Sequence, residues 1–358
     1  FLIPLRRTWY LTRAVRCLRN KCRREMKEIA MDTRFRTAED TPDNLARYFL
    51  TPTGFTFSDF RASFGEEIAK AVYTNLYKVG CARNSYRQIS PVRVLADRNT
   101  KKYAFELSDQ KLIETVIIKR RTGNTLCLST QVGCQVRCRF CKSGENGLVR
   151  NLSASEMIQQ FIFANGNANR IVFMGIGEPL MNYSELIRVI HILRDRNGLD
   201  FPTDGISIST VGPIDKLKLL REEHIKIQLV LSLHATDQQT RDYLMPGTAR
   251  HSINEVISLS MDYGRRHNRK ISIAYLLLPG INDRTVDVER LSRWFGGKNV
   301  VVNLLRYNGN KTNEFFPASP ERISSFMKAL EKNSVRVTLR RSLGDSIEAA
   351  CGQLVPKG

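Results

Sequence analysis

From residue 125 onward, short apolar runs alternate with stretches whose apolar residues recur every three or four positions. The runs TLCLSTQV (125–132), IVFMGIG (171–177), ISIST (206–210), IQLVLSLHA (227–235), ISIAYLLLPG (271–280) and VVVNLLRYN (300–308) read as strands. Between and after them, 153–165, 183–196, 215–224, 252–267, 285–296 and 319–333 carry helical periodicity. Two helix starts are marked: Ser153 with Glu156 makes a capping box, and Ser319 is a cap followed by Pro320 at the first helical position. Strand-helix alternation means parallel strands joined by crossovers, so the fold class is α/β, and six units predict a partial (β/α)6 barrel over 125–358. Chemistry in such barrels sits at the carboxyl ends of the strands. Upstream, LARYFL, SDFRASF and EEIAKAVYTNLYKVG predict a helical accessory domain over 26–90. The alternating stretches VRVLADR, KYAFELS and ETVIIKR predict short antiparallel linking strands over 91–124.

Charge changes this picture of an ordinary domain. Among 358 residues Lys and Arg exceed Asp and Glu by 21, which favours a polyanionic partner, nucleic acid first. Residues 1–24 hold eight of the basic residues and no acid, so 1–25 is set apart as a basic extension: an arm, a transit-like segment, or sequence ahead of a start at Met26. The remaining body is still strongly basic. No run of 18 apolar residues occurs, and FLIPLRRTWYL is broken by charge too early for a signal-peptide core, so a soluble, cytoplasmic protein without a membrane is expected. Eight cysteines are too few for a disulfide scaffold of this length, and three crowd into eight residues, which points to metal binding or catalysis in a reducing compartment.

Those three are Cys134, Cys138 and Cys141, on a loop directly after the first barrel run. Zinc sites usually offer four ligands, commonly in two pairs, and no second pair is present. Three thiolates suit a 4Fe-4S cluster with one iron left open. The C-x-x-x-C-x-x-C spacing resembles the radical S-adenosylmethionine (SAM) superfamily. That resemblance implies SAM chelating the open iron, a reductant such as flavodoxin or ferredoxin, and a 5′-deoxyadenosyl radical. Phe140 stands where the superfamily commonly has an aromatic, and Arg137, Arg139 and Lys142 surround the thiols with positive charge, for the cluster or for a nucleic acid.

Further segments narrow the resemblance. FMGIGEPLMN (173–182), ISISTVG (206–212), LSLHA (231–235), LLPGIND (277–283), NLLRYN (303–308) and GDSIEAACGQL (344–354) occur in the order seen in the rRNA adenine methyltransferases RlmN and Cfr. Carried over by position, the resemblance implies that Gly177 and Glu178 bind the SAM amino group, Ser209 its ribose or carboxylate region, Ser232, Leu233 and His234 the pocket wall, and Asn308 the adenine. It implies that Cys351 is first methylated by one SAM. A second SAM then supplies the radical that activates the new S-methyl group for addition to the adenine ring. Cys127 would break the resulting protein–RNA link by attacking Cys351, through a transient disulfide. Glu114 would accept a proton.

The substrate implied is an adenosine of 23S rRNA, with tRNA open for the RlmN branch, and the enzyme is expected to be a monomer. LLPGIND and NLLRYN lean slightly to the Cfr branch, which acts at carbon 8, while GEPLMN leans to the RlmN branch, which acts at carbon 2. Gly247-Thr248 departs from the family's usual Ile-Asn after Leu-x-Pro, which opens a different substrate within the lineage. A basic RNA-binding protein with a structural cluster is the alternative from another class.

Overall fold

The computed structural model describes residues 52–77, 89–164, 167–309, 314–340 and 342–355. The basic extension over 1–25 and much of the expected accessory domain therefore lie outside the described residues, together with Cys17, Cys22 and Cys81. Within 52–77 two helices stand, α1 (Phe57–Phe64) and α2 (Glu66–Tyr77). Thr56 and Asp59 close a capping box at the start of α1, and Gly65, at φ 80°, ends it. Phe57, Phe60 and Tyr73 pack edge to face between the two helices.

The predicted linking strands form an antiparallel meander, β1 (Ile89–Ala96), β2 (Thr100–Leu107) and β3 (Leu112–Ile118). Asp97 turns β1 into β2 by accepting from the Asn99 and Thr100 amides. The meander is continuous with the barrel sheet rather than a separate linker, because β3 pairs antiparallel with β4 (Asn124–Cys127), Val116 opposite Cys127.

The run 125–132 is not one strand. After Cys127 the chain leaves the sheet, and Gln131–Gly133 becomes β5, which pairs with β6 (Leu148–Asn151) as a separate hairpin. Glycine drives the break: Gly133 and Gly147, both at positive φ, meet so closely that a Cβ on Gly133 would lie 2.0 Å from the Gly147 carbonyl oxygen.

The expected alternation then follows. Helix α3 (Ala154–Ala164) leads to β7 (Ala168–Phe173), α4 (Tyr183–Arg194) to β8 (Ile206–Thr210), and α5 (Ile214–Glu222) to β9 (Gln228–Ser232). Two helices, α6 (Gln238–Leu244) and α7 (Ile253–His267), precede β10 (Ile271–Leu277), where one was expected. Helix α8 (Thr285–Phe295) leads to β11 (Val300–Arg306), and α9 (Pro320–Lys332) to β12 (Val337–Arg340). Both predicted caps are present: Ser153 and Glu156 exchange bonds at α3, and the Ser319 hydroxyl accepts from the Arg322 amide.

Strands β4 and β7 to β12 run parallel in that order, so six crossover units close on a seventh strand, the partial α/β barrel expected. Most Val, Ile and Leu residues of β7 to β11 are buried, as befits parallel strands covered by helices. Phe173, Ile208, Leu229 and Val302 pack in one core with Met157, Val189, Leu217, Leu291 and Phe326 of the outer helices. Each such side chain contributes about 1.5–3 kcal/mol by leaving water. Among the described residues no helix is long and apolar enough to cross a membrane.

After β12 the chain turns back as a strap, residues 342–355, with one short helical turn at Asp345–Ile347. The Ser346 hydroxyl bonds Asp97, the Lys102 ammonium donates to the Glu348 carbonyl at 3.0 Å, and the Lys142 amide donates to the Gly352 carbonyl at 2.8 Å. The strap thereby spans from the meander to the cysteine loop.

Candidate active site

The three clustered thiols sit on a loop held by three backbone bonds: the Cys134 amide to the Gly147 carbonyl, the Arg139 amide to that of Leu244, and the Gly247 amide to that of Val136. A Cys141-to-Cys138 amide bond of 3.0 Å closes the turn that carries the last two. Burial pushes the Cys134 thiol up to about 12, Cys138 well above its ordinary value, and Cys141 up as well. Such thiols stay protonated unless a cation holds them as thiolates, which is what iron does. Among the described residues no three His, Cys, Asp or Glu side chains converge on a single ion. Thiolates that each bind a different iron need not converge, so the donor set fits a cluster rather than a lone zinc.

All three cysteines line one cavity at the carboxyl ends of the strands, together with Gly177, Glu178, Ser209, Ser232, His234, Asn308 and Cys351. Gly177, at φ 105°, lets the chain pass so close to Gln131 that a Cβ would meet that side chain at 2.6 Å. The Gln131 side-chain oxygen in turn accepts from the Glu178 amide. The Glu178 carboxylate accepts from the Leu180 and Val211 amides and the Thr210 hydroxyl, yet burial still raises it to about 7. An ammonium group placed beside such a carboxylate would hold it charged.

The Ser209 and Ser232 hydroxyls lie 3.1 Å apart on adjacent strands. His234, at φ 55°, accepts the Leu276 amide at Nδ1 and meets Phe140 edge to face at 5.0 Å; burial lowers its pKa to about 3, so it is neutral. The Asn308 amide donates to the Cys351 carbonyl at 3.3 Å. Leu233 differs from its neighbours: strand alternation turns its side chain away from the cavity into the main core.

Cys351, exposed at the turn of the strap, borders a second cavity as well, whose wall includes the buried Cys127. Both are free thiols. Burial pushes Cys127 up to about 12, the nearby Cys351 adds to this, and Arg340 opposes it. Glu114 lies two residues along β3 from Val116, the partner of Cys127, but is fully buried and lines neither cavity. The Lys102 ammonium stands 3.0 Å from its Oε1 and also donates to the Glu348 carbonyl of the strap. Burial raises the Glu114 carboxyl and Lys102 holds it back.

Two contributors escape the sequence pattern. Arg241 on α6 is fully buried, donates from one nitrogen to the Val211 carbonyl, and leaves Nε and Nη1 without hydrogen bonds beside the thiols and Glu178. Burial lowers its pKa to about 10, and the Cys138, Asp242 and Glu178 charges counter that. Lys102 reads in sequence only as one more basic residue of an alternating strand.

Comparison with known proteins gives the family. Residues 128–291 match the family model of the Radical SAM superfamily. A "Probable RNA methyltransferase" of Rhodopseudomonas palustris (strain BisB5) is 47% identical over 256 residues, 71% of each chain. A "Probable dual-specificity RNA methyltransferase RlmN" of Lachnospira eligens is 38% identical over 277 residues, 76% of this chain and 79% of that protein. The crystal structure of a radical SAM methyltransferase from Sphaerobacter thermophilus superposes with a TM-score of 0.79 at 31% identity, covering 85% of this chain and 99% of that one. The chain belongs to the radical SAM RNA methyltransferase family that includes the RlmN proteins.

Proposed function

We propose that this chain methylates a ring carbon of an adenosine in RNA, with 23S rRNA as the substrate, through a methyl group carried on Cys351. The observation that carries the reading is the position of Cys351, which borders both the cavity of the three loop thiols and the cavity of Cys127. One sulfur can thus face a methyl donor on one side and a resolving thiol on the other. When bound, SAM beside the iron-sulfur cluster supplies a transferable methyl group and, on reduction, a hydrogen-abstracting radical.

The residues divide the work. Glu178 pairs with the ammonium group of the ligand, while Ser209, Ser232 and His234 wall its pocket and Asn308 ties the strap to that wall. Cys351 would take the methyl group by displacement, and a hydrogen atom abstracted from that S-methyl group would leave a carbon radical that bonds to the adenine ring; the adduct would then give the ring proton to a base and one electron back to the iron-sulfur group. Cys127 then attacks the Cys351 sulfur, so that the disulfide forms as the methylated base departs. Two SAM molecules are used per methyl delivered. Glu114 accepts the ring proton only when the strap shifts, because Lys102 and the strap now cover it.

The resemblance of GEPLMN to the RlmN branch favours position 2 of the ring, while LLPGIND and NLLRYN keep position 8 as a second reading. Reaction with rRNA, reductant and methyl-deuterated SAM, followed by mass spectrometry of nucleosides, tests the proposal. Methyladenosine carrying label is expected, and the Cys127→Ala chain is expected to accumulate a covalent protein–RNA species. Unmodified RNA with the wild-type enzyme sinks the reading.

A further inference from the structure

The second cavity has a charged margin that neither cluster nor thiols require. Arg306 and Arg340 come from its β11–β12 side, where Leu305 pairs with Arg340, and Arg120 follows β3 on the opposite side. Arg170 joins Arg120 there: Thr125 pairs with Arg170 on one flank and with Ile118 on the other. Arg120, Arg170 and Arg306 are exposed and Arg340 is half-buried against the Met174 sulfur. Among the described residues none of the four has an ion pair, whereas Arg188, Arg221, Arg290 and Arg322 on the outer helices do. Desolvation first, then the charges of Arg340 and Arg170, depress the Arg120 pKa. Like charges gathered without acids are unfavourable until an anion arrives.

We propose that Arg120, Arg170, Arg306 and Arg340 form a phosphate gutter in which the sugar-phosphate backbone of the substrate RNA lies, so that the strand reaches Cys351 through the side opening of the barrel between β3–β4 and β11–β12. The inference rests on RNA being the substrate. Planar guanidiniums suit phosphodiesters because each can grip two oxygens. Arg120, Arg306 and Arg340 share a cavity wall with the exposed Cys351, and Arg170 extends the row beyond Arg120, so the phosphates on either side of a nucleotide turned toward that sulfur can be held. The gutter carries no sequence information, so base choice falls to the cavity itself.

The test is the salt dependence of binding to an rRNA fragment between 50 and 200 mM KCl, with iron per chain as a check that each variant is loaded. The R120Q/R170Q/R306Q chain is expected to bind at least tenfold more weakly at 50 mM. Its slope of log affinity against log salt should be shallower by about 2, at roughly 0.7 per single-strand phosphate contact. The corresponding triple Lys chain keeps the charge and should keep the wild-type slope. An R265Q/R266Q chain, altered on the outer face of α7, should also keep it. A glutamine triple with the wild-type slope, or an outer variant that loses as much, overturns the gutter while leaving the RNA reading intact. A wild-type chain that binds no RNA sinks both.

Discussion

The cysteine loop over 134–141 and the strap over 342–355 bring thiols to the same cavity by opposite means. The loop is anchored by backbone bonds to Gly147 and to the segment over 244–247, and its Val136 is buried in an apolar cluster with Leu244, Met245, Leu276 and Leu278. The strap is held by polar ties: Ser346 to Asp97, Lys102 to the Glu348 carbonyl, Ser143 to the Leu354 carbonyl, with Gln353 bonding Asp345 internally. Its apolar footing is small, chiefly Ala349 and Leu354 against Val116, Cys127 and Val172. Apolar packing is lost as a unit, whereas a hydrogen bond exchanges with water at a net cost of about 1 kcal/mol. A cluster needs fixed ligands, whereas the proposed function has Cys351 meet a methyl donor, an adenine and then Cys127, which calls for a segment that can let go.

The sharpest way to break the contrast is at Gly247, the departure from the usual family sequence. A Cβ there would lie 2.6 Å from the Val136 Cα and 2.8 Å from the Gln135 and Val136 carbonyl oxygens. These are backbone atoms of the cluster loop, so no side-chain rotation relieves the collision. Gly247→Ile is expected to lower iron per chain at least tenfold and abolish product, by iron assay and absorbance after reconstitution. Cys351→Ala, by contrast, should lose product and keep its iron. A Gly247→Ile chain that loads iron normally would show the loop to be as yielding as the strap.

Next in size is the Lys102–Glu114 pair beneath the strap, buried at 5% and 0% exposure. Removing one partner leaves a charge without compensation in a dry interior, at a cost of about 3–5 kcal/mol, while removing both costs far less. Lys102→Met should therefore be strongly destabilised in denaturant unfolding, and Lys102→Met with Glu114→Met should recover most of the loss. Both chains should bind iron in proportion to their folded fraction. Additive losses in the double variant would mean that the pair does not couple.

Much of the loop side was legible in the sequence and much of the strap side was not, for a physical reason. Strand runs, capping residues and Cys134, Cys138 and Cys141 are local patterns, and local patterns fix where β7, α3 and the thiol loop form. Adjacency across the fold leaves no such trace. The run 125–132 looks like one strand because its apolar residues do not reveal that Gly133 must meet Gly147 and pull β5 into its own hairpin. Arg241 has no apolar pattern to betray its burial, and α6 is too short for periodicity to separate it from a loop. Leu233 followed its neighbours Ser232 and His234 into the predicted pocket, although alternation sends it the other way. Glu114 was found by position in a motif, but its partner Lys102 lies across a strand pair and its cover comes from the far end of the chain.

The smallest expected effect concerns charge on the fixed side. Burial raises Glu178 from 4.5 to about 7, so in the iron-free chain the folded state holds a proton that the unfolded chain has lost, and stability falls as pH rises from about 4.5 to 7. His234 is lowered from 6.5 to about 3, so the unfolded chain holds the extra proton, and stability rises with pH over that window. Each slope is about 1.4 kcal/mol per pH unit, and between pH 4.5 and 6.5 the two oppose each other. In wild type these two contributions therefore cancel there, and each variant is read as a change of slope against wild type. Glu178→Gln should gain stability with rising pH, and His234→Asn, which tolerates the left-handed backbone and can still accept the Leu276 amide, should lose it. Denaturant unfolding of the iron-free chains at pH 4.5, 5.5 and 6.5 reads the two slopes directly. Parallel profiles for both variants and wild type would mean that water reaches these groups and that the loop side is looser than its packing implies.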